Sequence, residues 1–423
     1  MKKKIIIVMV NISMGELDWI LPYLKYVSKK YYIFTYFRNQ KVYDSLKNNK
    51  NLFQIWNSIN DLTYIEKFTN NLTYKILLKI AKLVKLDDNL IIKLNNKISN
   101  LDNLEKIISK EIKVKDYKIE LIFSCFGEIN AMFDTIKKID KNKRPLIVHF
   151  PVSPMPYVKK KIKILGRFPV KMQGDLFLLG RKSEITLFDK FISRNKIQVA
   201  GVPKFDESWV KELIDNNKED DLKIDKKTLS KKFIITFAYE SNFDIPNYSA
   251  KIQYLNQQLI DVMESVKSLK NAIIIFKLHP RKNSPKFIKI LNEYKKDIWK
   301  ISKMHPILLA KISNCYLAHP GSSTLIDAVR AGTPSLQLWK IKKDSDLKYR
   351  EDTIYNVGLT KRANNKKELL QLFKKIKLSK KNNEYNRQKK TLLKVYPYLN
   401  SSTKRIDLII KNEIERKNLN AKN

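Results

Sequence analysis

The chain has 423 residues, which at about 150 residues per domain allows two or three domains, and its hydrophobic fraction of 43% lets each domain bury a core. Nine glycines, 14 prolines and two cysteines exclude collagen-like and linker-dominated chains, a disulfide framework and a multi-thiolate metal site. The formal net charge of +42 favours an anionic partner, although the codon bias of an AT-rich genome toward lysine explains part of the excess.

Four short apolar runs with polar flanks occupy the first part of the chain, and each is typical of a buried parallel strand. They lie at 5–10, 31–36, 121–125 and 146–150. A helical pattern over 17–29 precedes the second run. This part of the chain therefore predicts βαβ units and a doubly wound sheet.

The lysines at 2–4 resemble the start of a signal peptide, but the apolar run after them has only six residues and no small-residue cleavage site follows. No run reaches the roughly 18 apolar residues of a membrane span. We therefore expect a cytoplasmic protein with neither a secretory nor a transmembrane segment.

Two basic regions interrupt the pattern of the first part. Residues 59–118 predict a long helical insertion, in which the lysines of 74–86 share one face of a helix. A solvated surface helix and a helix that lies on an anionic membrane both explain this face. A second group of basic residues, in a predicted loop, lies between 159 and 171.

The second half repeats the alternation. Apolar runs predict strands at 233–237, 272–276, 315–318 and 335–338, and a further short stretch lies near 299–301. Helical patterns lie at 254–269, 287–294, 307–312, 323–331 and 368–376 and from 401 onward. We expect an N-terminal domain over 1–205, a charged linker over 206–232, a second doubly wound domain over 233–400, and a closing helix over 401–423 that is frayed from 417.

The strongest local signal is the segment 318–334, which follows a predicted strand and opens a predicted helix. Gly321 permits a tight turn, and three hydroxyl residues then stand at the helix N-terminus, where the dipole favours an anion such as a diphosphate. They are Ser322, Ser323 and Thr324. Asp327, one turn later, is suited to accept a hydrogen bond from a ribose or sugar hydroxyl. An ordinary capped helix uses the same residue types, so this segment alone leaves both interpretations open.

A basic segment ends the strand predicted at 272–276. It contains Lys277, His279 and Arg281, with Pro280 fixing the backbone. Ligands of open parallel sheets bind beyond the carboxyl ends of the strands, and we expect this segment and 318–334 to meet there on neighbouring strands. His279 would donate to a phosphate or to a leaving-group oxygen. By contrast, His305 with Pro306 predicts only a turn that caps the next helix.

The order Lys-x-His-Pro, helix, strand, Gly-Ser-Ser-Thr-x-x-Asp-Ala-x-x-x-Gly-Thr-Pro resembles the donor-binding domain of GT-B glycosyltransferases of bacterial surface polysaccharide synthesis. Sialyl-, polysialyl- and Kdo-type transferases are most similar in these motifs, and CDP-glycerol glycerophosphotransferases and UDP-GlcNAc 2-epimerases are related. The segment 197–206, with Gly-x-Pro-x-Phe-Asp, resembles the junction between their domains. The resemblance implies an α/β protein with the GT-B fold: two Rossmann-like doubly wound domains that face each other across a cleft.

The resemblance also implies that a nucleotide-sugar donor binds mostly to the C-terminal domain and the acceptor to the N-terminal domain, with no cofactor and no metal. It assigns His279 to the phosphate or the leaving group, the hydroxyls at 322–324 to phosphate, and Asp327 to the nucleotide or sugar. The further candidates for donor or sugar contacts are Lys277, Pro280, Arg281, His319, Gly321, Tyr239, Ser241, Glu351 and Asp352.

An inverting transfer needs a base that takes the proton of the acceptor hydroxyl. Four side chains near predicted strand ends of the N-terminal domain are candidates, namely Glu16, Asp18, Glu128 and His149. A helix-start acid favoured by the dipole explains each carboxylate without catalysis. The base stays open among these four.

The sequence thus predicts a glycosyltransferase that moves a sugar, with a CMP-linked acidic sugar as one option, to a glycan or lipid-linked acceptor of a capsule or lipopolysaccharide. The basic regions would dock on the inner face of the cytoplasmic membrane. Polyol-phosphate transfer and sugar epimerisation are the alternatives within the fold. A nucleic-acid-binding protein is the third hypothesis, but the basic residues are spread over the chain and no nucleic-acid-binding motif is present, so we expect no such partner.

Overall fold

Two parallel β-sheets flanked by helices make up the described part of the chain. Apolar residues run continuously along most strands, so both faces of each sheet are buried, as parallel sheets require. The computed structural model describes residues 3–11, 13–65, 117–125, 144–151, 174–189, 192–216, 222, 226–239, 249–278, 285–339, 353–379 and 383–420.

The first sheet contains seven described strands in the order β3-β2-β1-β4-β5-β6-β7. The strands are β1 Lys3–Val10, β2 Tyr32–Phe37, β3 Leu62–Ile65, β4 Tyr117–Cys125, β5 Leu146–Phe150, β6 Leu176–Leu179 and β7 Ile197–Val199. The described α-helices between them are α1 Met14–Val27, α2 Gln40–Lys47, α3 Lys50–Ile59 and α4 Ile185–Phe188. The strand order reverses between β1 and β4, which opens a crevice beyond their carboxyl ends.

The second sheet contains six described strands in the order β10-β9-β8-β11-β12-β13, with the reversal between β8 and β11. The strands are β8 Phe233–Tyr239, β9 Ala272–Leu278, β10 Trp299–Ser302, β11 Cys315–Ala318, β12 Ser335–Gln337 and β13 Lys361–Arg362. The described α-helices are α5 Glu207–Asp215, α6 Lys226–Ser230, α7 Ser249–Lys267, α8 Pro285–Asn292, α9 Pro306–Ile312, α10 Thr324–Ala331, α11 Thr353–Asn356, α12 Lys366–Leu378, α13 Asn383–Val395 and α14 Ser402–Asn420.

One hydrophobic core cluster extends across both domains. In β1, Ile6 faces this cluster, whereas Ile7 faces a smaller cluster on the other side of the sheet. The large cluster also contains Ile234 of β8 and Ile406 of α14. Buried apolar surface therefore joins the two domains in addition to the chain connection.

The last described helix returns to the first domain, where α14 packs against α1 and against the 3-10 turn Pro203–Phe205. The carboxylate of Asp206 accepts hydrogen bonds from the backbone N–H groups of Ser402 (2.9 Å) and Thr403 (2.8 Å) and so caps α14. Gly201, with φ of +84°, lets the chains approach so closely that an added Cβ would lie 2.4 Å from Ser402 Oγ. The Gly-x-Pro-x-Phe-Asp segment thus fastens α14 to the first domain.

The predicted doubly wound architecture is confirmed. The runs at 146–150 and 315–318 have the bounds of β5 and β11. The closing helix predicted from 401 is α14, which extends to Asn420, and fraying of the tail stays a prediction. The sequence did not predict β3, β13, α2, α3 or α13. The helix at 74–86, the rest of the basic insertion over 66–116 and the loop at 159–171 lie outside the described residues.

Candidate functional site

The carboxyl ends of three strands of the second sheet meet at one edge. The register places Ala238 of β8 between Ala318 of β11 and Lys277 of β9. The prediction that the two motif-bearing strands are neighbours is wrong, because β8 lies between β9 and β11. The carboxyl ends of β9 and β11 therefore lie on the two sides of β8, next to the place where the strand order reverses and where such sheets bind their ligands.

The turn 319–323 connects β11 to α10 at this edge. Gly321 has a φ of +79°, the left-handed conformation that favours glycine. The hydroxyls of Ser322 and Thr324 lie 2.8 Å apart, and the side chain of Ser323, the N-cap residue, makes no capping hydrogen bond. All three residues are partly exposed. They stand where the dipole of α10 favours an anion.

His319 and Tyr239, two of the predicted donor-binding residues, lie in an aromatic cluster on one face of the second sheet. The ring centroid of His319 lies 5.1 Å from that of Phe237 and 5.4 Å from that of Tyr239, which stacks on Phe287 at 4.8 Å. Both side chains are buried, and burial raises the pKa of the Tyr239 hydroxyl. This packing fixes the residue that begins the turn, and contact of either side chain with a donor stays a prediction.

Lys277 points toward the connection between β10 and α9. Its ammonium donates to the carbonyl oxygen of Lys303 at 3.1 Å. Several other predicted site residues lie outside the described residues, so their roles stay predictions. They are His279, Pro280, Arg281, Ser241, Glu128, Glu351 and Asp352.

Glu16 and His149, two candidates for the base, are buried in the first domain. The Glu16 carboxylate accepts hydrogen bonds from the backbone N–H groups of Asn11 (2.8 Å) and Ser13 (3.1 Å), so it closes the first turn of α1. His149 is 1% exposed and stacks on Phe177 with 4.9 Å between ring centroids. A structural role accounts for both contacts, and a catalytic role of either side chain stays a prediction.

Asp18, a third candidate, belongs to a buried group of four side chains that the sequence does not predict as a unit. Lys204 Nζ lies 2.6 Å from Asp18 Oδ2 and 3.0 Å from Asp327 Oδ1. His305 Nε2 lies 3.1 Å from Asp18 Oδ1. No side chain of the four is more than 7% exposed. We call these four residues the ionic cluster.

The ionic cluster joins the two domains. Asp18 lies in α1, and Lys204 lies in the turn Pro203–Phe205 that follows β7. On the other side, His305 is the N-cap residue of α9 and Asp327 lies in the first turn of α10. Two contacts therefore cross between the domains, one from Lys204 to Asp327 and one from His305 to Asp18.

His305 is neutral in this arrangement. Its Nδ1 accepts a hydrogen bond from the backbone N–H of Ile307 at 3.2 Å, so Nδ1 carries no proton and Nε2 donates to Asp18. The predicted role of His305, capping the following helix, is confirmed. The ionic cluster thus contains one cation, Lys204, for two carboxylates.

The pKa values in the ionic cluster follow from burial and from the facing charges. Burial would raise the pKa of Asp18, but the Lys204 ammonium and the hydrogen bond from His305 hold it below its usual value. Burial would lower the pKa of Lys204, but the two carboxylates raise it, whereas burial raises the pKa of Asp327. An ionised and paired Asp18 is a weak proton acceptor. Asp327 is 1% exposed, and its contact with a ribose or sugar hydroxyl stays a prediction.

Among the described residues, no group of three or more His, Cys, Asp or Glu side chains is arranged to hold a metal ion. None of the described helices has the length and apolarity of a membrane span. Donor binding without a metal and docking on a membrane surface stay predictions.

The chain is similar in structure to enzymes of two kinds. A provisionally assigned UDP-N-acetylglucosamine 2-epimerase from Listeria monocytogenes matches with a TM-score of 0.62 at 12% identity, over 98% of this chain and 97% of that chain. A UDP-glucosyltransferase from Polygonum tinctorium matches with a TM-score of 0.57 at 9% identity, over 98% and 99%. The calicheamicin glycosyltransferase CalG4 matches with a TM-score of 0.55 at 9% identity, also over 98% and 99%.

Identities this low show the fold alone. The chain has two Rossmann-like parallel-sheet domains in the GT-B arrangement, and the predicted fold class is confirmed. The sequence matches no protein-family model, and no curated protein matches it significantly.

Proposed function

We propose that the protein is a glycosyltransferase that uses a nucleotide-activated sugar. The observation that supports this most directly is the turn 319–323, with hydroxyl residues at 322–324, which stands at the reversal point of the second sheet in a GT-B fold. A helix N-terminus and partly exposed hydroxyls at such a point suit the phosphates of a nucleotide.

In the proposed reaction, an acceptor hydroxyl attacks the anomeric carbon of the sugar while the bond from that carbon to the phosphate oxygen breaks. The proton of the hydroxyl goes to a base of the first domain, and the nucleotide leaves with an additional negative charge. The N-terminus of α10 would stabilise this charge, because the helix dipole there favours an anion.

The finer parts of the proposal follow from the sequence. A CMP-linked acidic sugar is one option for the donor, and a surface glycan or lipid-linked molecule of the cell envelope is the proposed acceptor. The net charge of +42 supports docking on an anionic membrane face or on an acidic acceptor.

Sugar epimerisation is the second candidate, because epimerases are among the similar structures. An epimerase needs no acceptor, so the two reactions give different results when the nucleotide sugar is the sole substrate. Incubation with a nucleotide sugar and no acceptor would give the epimeric sugar only in the epimerase case. Polyol-phosphate transfer remains a further alternative of the same fold.

A thermal-shift panel tests nucleotide binding without knowledge of the acceptor. The panel contains CMP, CDP, UDP and a short oligonucleotide. We expect a rise in the melting temperature with at least one mononucleotide, because binding to the folded state stabilises it. A rise with the oligonucleotide alone would reject the proposal in favour of a nucleic-acid-binding protein.

A further inference from the structure

The ionic cluster is placed where the two domains meet and where the proposed donor site begins. Asp327 is three residues after Thr324, which starts α10, so their Cα atoms are about 5 Å apart along the helix axis. The partner of Asp327 across the domain interface is Lys204, at 3.0 Å. An ion pair with a side chain of the first domain therefore helps to fix the position of α10.

A second contact from the same turn holds the same face of α10. The carbonyl oxygen of Phe205, next to Lys204, accepts a hydrogen bond from Arg330 Nε at 2.5 Å. Asp327 and Arg330 are three residues apart and share one face of the helix. Two side chains of α10 are therefore fastened to one 3-10 turn.

The turn Pro203–Phe205 is itself fixed in the first domain. The ring of Phe205 packs edge-on against Tyr396 with 5.7 Å between centroids. Lys204 also contacts Asp18 of α1 at 2.6 Å. Its ammonium therefore cannot move farther toward Asp327 without losing its contact with α1. The Lys204 ammonium is thus shared between Asp18 of α1 and Asp327 of α10.

Lys204 is the one cation among the four side chains of the ionic cluster. A buried ion pair adds little to stability compared with apolar packing of the same volume, but it demands one geometry from its partners. Two carboxylates that approach a single ammonium from different domains satisfy this demand only at one relative orientation of α1 and α10. The ionic cluster is therefore better suited to fixing the relative orientation of α1 and α10 than to stabilising the fold.

We propose that Lys204 is a positioning residue that sets the orientation of α10 relative to α1, so that a donor bound at the turn 319–323 is presented to the acceptor side. The part that concerns the donor rests on the proposed function. Lys204 contacts neither the turn 319–323 nor a reacting atom, and it acts through its ion pair with Asp327.

The test measures the distance between the domains with spin labels at Lys41→Cys in α2 and Lys374→Cys in α12, two exposed positions. The native cysteines Cys125 and Cys315 are buried, which protects them from labelling in the folded protein. In Lys204→Met we expect a broader and shifted distance distribution than in the labelled parent. Lys204→Arg, which keeps the charge, should restore the parent distribution.

Two further variants separate positioning from stability. Asp327→Asn removes the crossing charge pair but leaves Lys204 paired with Asp18, so it provides a folded variant in case Lys204→Met does not fold, and it should also broaden the distribution. Leu46→Ala lowers stability through a buried residue of α2 and should leave the distribution unchanged. An unchanged distribution in Asp327→Asn, or equal broadening in Leu46→Ala, would overturn the proposal.

Nucleotide binding is measured separately, so the proposed function and the role of Lys204 fail in different ways. With a mononucleotide that stabilises the parent, Lys204→Met should show the same increase in melting temperature, because the binding turn is intact. With a nucleotide sugar that the parent turns over, we expect kcat to fall about 100-fold with an unchanged KM for the donor. If no mononucleotide binds the parent, the proposed function fails while the distance measurement still decides the orienting role.

Discussion

The hydroxyl of Ser323 is free to serve a ligand, because this N-cap residue makes no capping hydrogen bond in its own helix. Ser323→Ala should therefore leave the stability of the protein unchanged. It should lower the affinity for the mononucleotide by about tenfold to a hundredfold, which corresponds to the loss of one hydrogen bond to a charged group. Titration calorimetry checks this. Ser401→Ala, at an exposed serine before α14, is the matched control. Equal affinities in both variants would remove Ser323 from the site.

Gly201 has a conformational and a steric reason to be glycine. Its φ is +84°, and an added Cβ would lie 2.4 Å from Ser402 Oγ and 3.1 Å from the carbonyl oxygen of Pro397. Gly201→Ala should lower the free energy of unfolding by about 2 kcal/mol or more, from strain and overpacking together. Gly358→Ala is the control, because Gly358 has φ of +79° but its nearest neighbour is 3.6 Å away. Urea unfolding should show a clearly smaller loss for the control.

Lys204→Met should make stability depend on pH in a defined direction. In the native protein Lys204 holds the pKa of Asp18 below its usual value. Without the ammonium, burial raises the pKa of the carboxyls of Asp18 and Asp327 above the unfolded value of about 3.9. Carboxyls with a raised pKa in the folded state destabilise it at high pH, and this penalty disappears as the pH falls through that pKa.

We therefore expect the loss of stability in Lys204→Met, about 3 kcal/mol near neutral pH, to shrink as the pH falls toward about 5. Urea unfolding of parent and variant at each pH measures it. Lys211→Met, at an exposed lysine of α5, should show a small loss with no such trend. A difference between parent and Lys204→Met that stays constant over this range would contradict the charge assignment.

At the scale of single elements, α14 depends on a cap that lies far away in the sequence. Asp206→Ala removes the acceptor for the N–H groups of Ser402 and Thr403. We expect a loss of about 1 kcal/mol and faster hydrogen exchange in the first turn of α14. Asn365→Ala removes a similar cap from α12, where Asn365 Oδ1 accepts from the N–H of Glu368 at 2.9 Å. This control should speed exchange in α12 only, and faster exchange of α14 in the control would contradict the assignment.

The sequence predicts an element well where burial is continuous. All five residues of β5 are buried, and four of them are apolar, with His149 as the exception. The predicted bounds of this strand are correct. Edge strand β3 is only half buried along its four residues, so its pattern does not stand out. In α13, Gln388 and Leu392 are the two buried residues, which leaves too weak an apolar stripe to predict a packed helix.

The candidate site divides in the same way. Gly321 and the hydroxyls after it are local features, and a strand followed by a glycine turn and a helix is visible in the sequence. The ionic cluster is not local, because Asp18 and Lys204 are 186 residues apart and Asp18 and His305 are 287 residues apart. No spacing rule connects such residues. Only the packing of α1 against the turn Pro203–Phe205, and the contact of Asp18 with the N-cap residue of α9, bring them together.

At the scale of the whole molecule, the shared core predicts that the two domains unfold together. The large hydrophobic cluster contains residues of both sheets and of α14, so unfolding one domain exposes apolar surface of the other. Differential scanning calorimetry should show a single transition with equal calorimetric and van't Hoff enthalpies. Two separated peaks would show that the interface is weaker than its burial indicates.

The return of α14 to the first domain affects the order of events during protein synthesis. The first domain is translated early, yet Ile406 and Ile410, which complete its packing, are among the last residues described. Until the ribosome releases this segment, α1 keeps an uncovered apolar surface. We expect the nascent first domain to require chaperone protection until α14 emerges, since α14 is translated after both sheets.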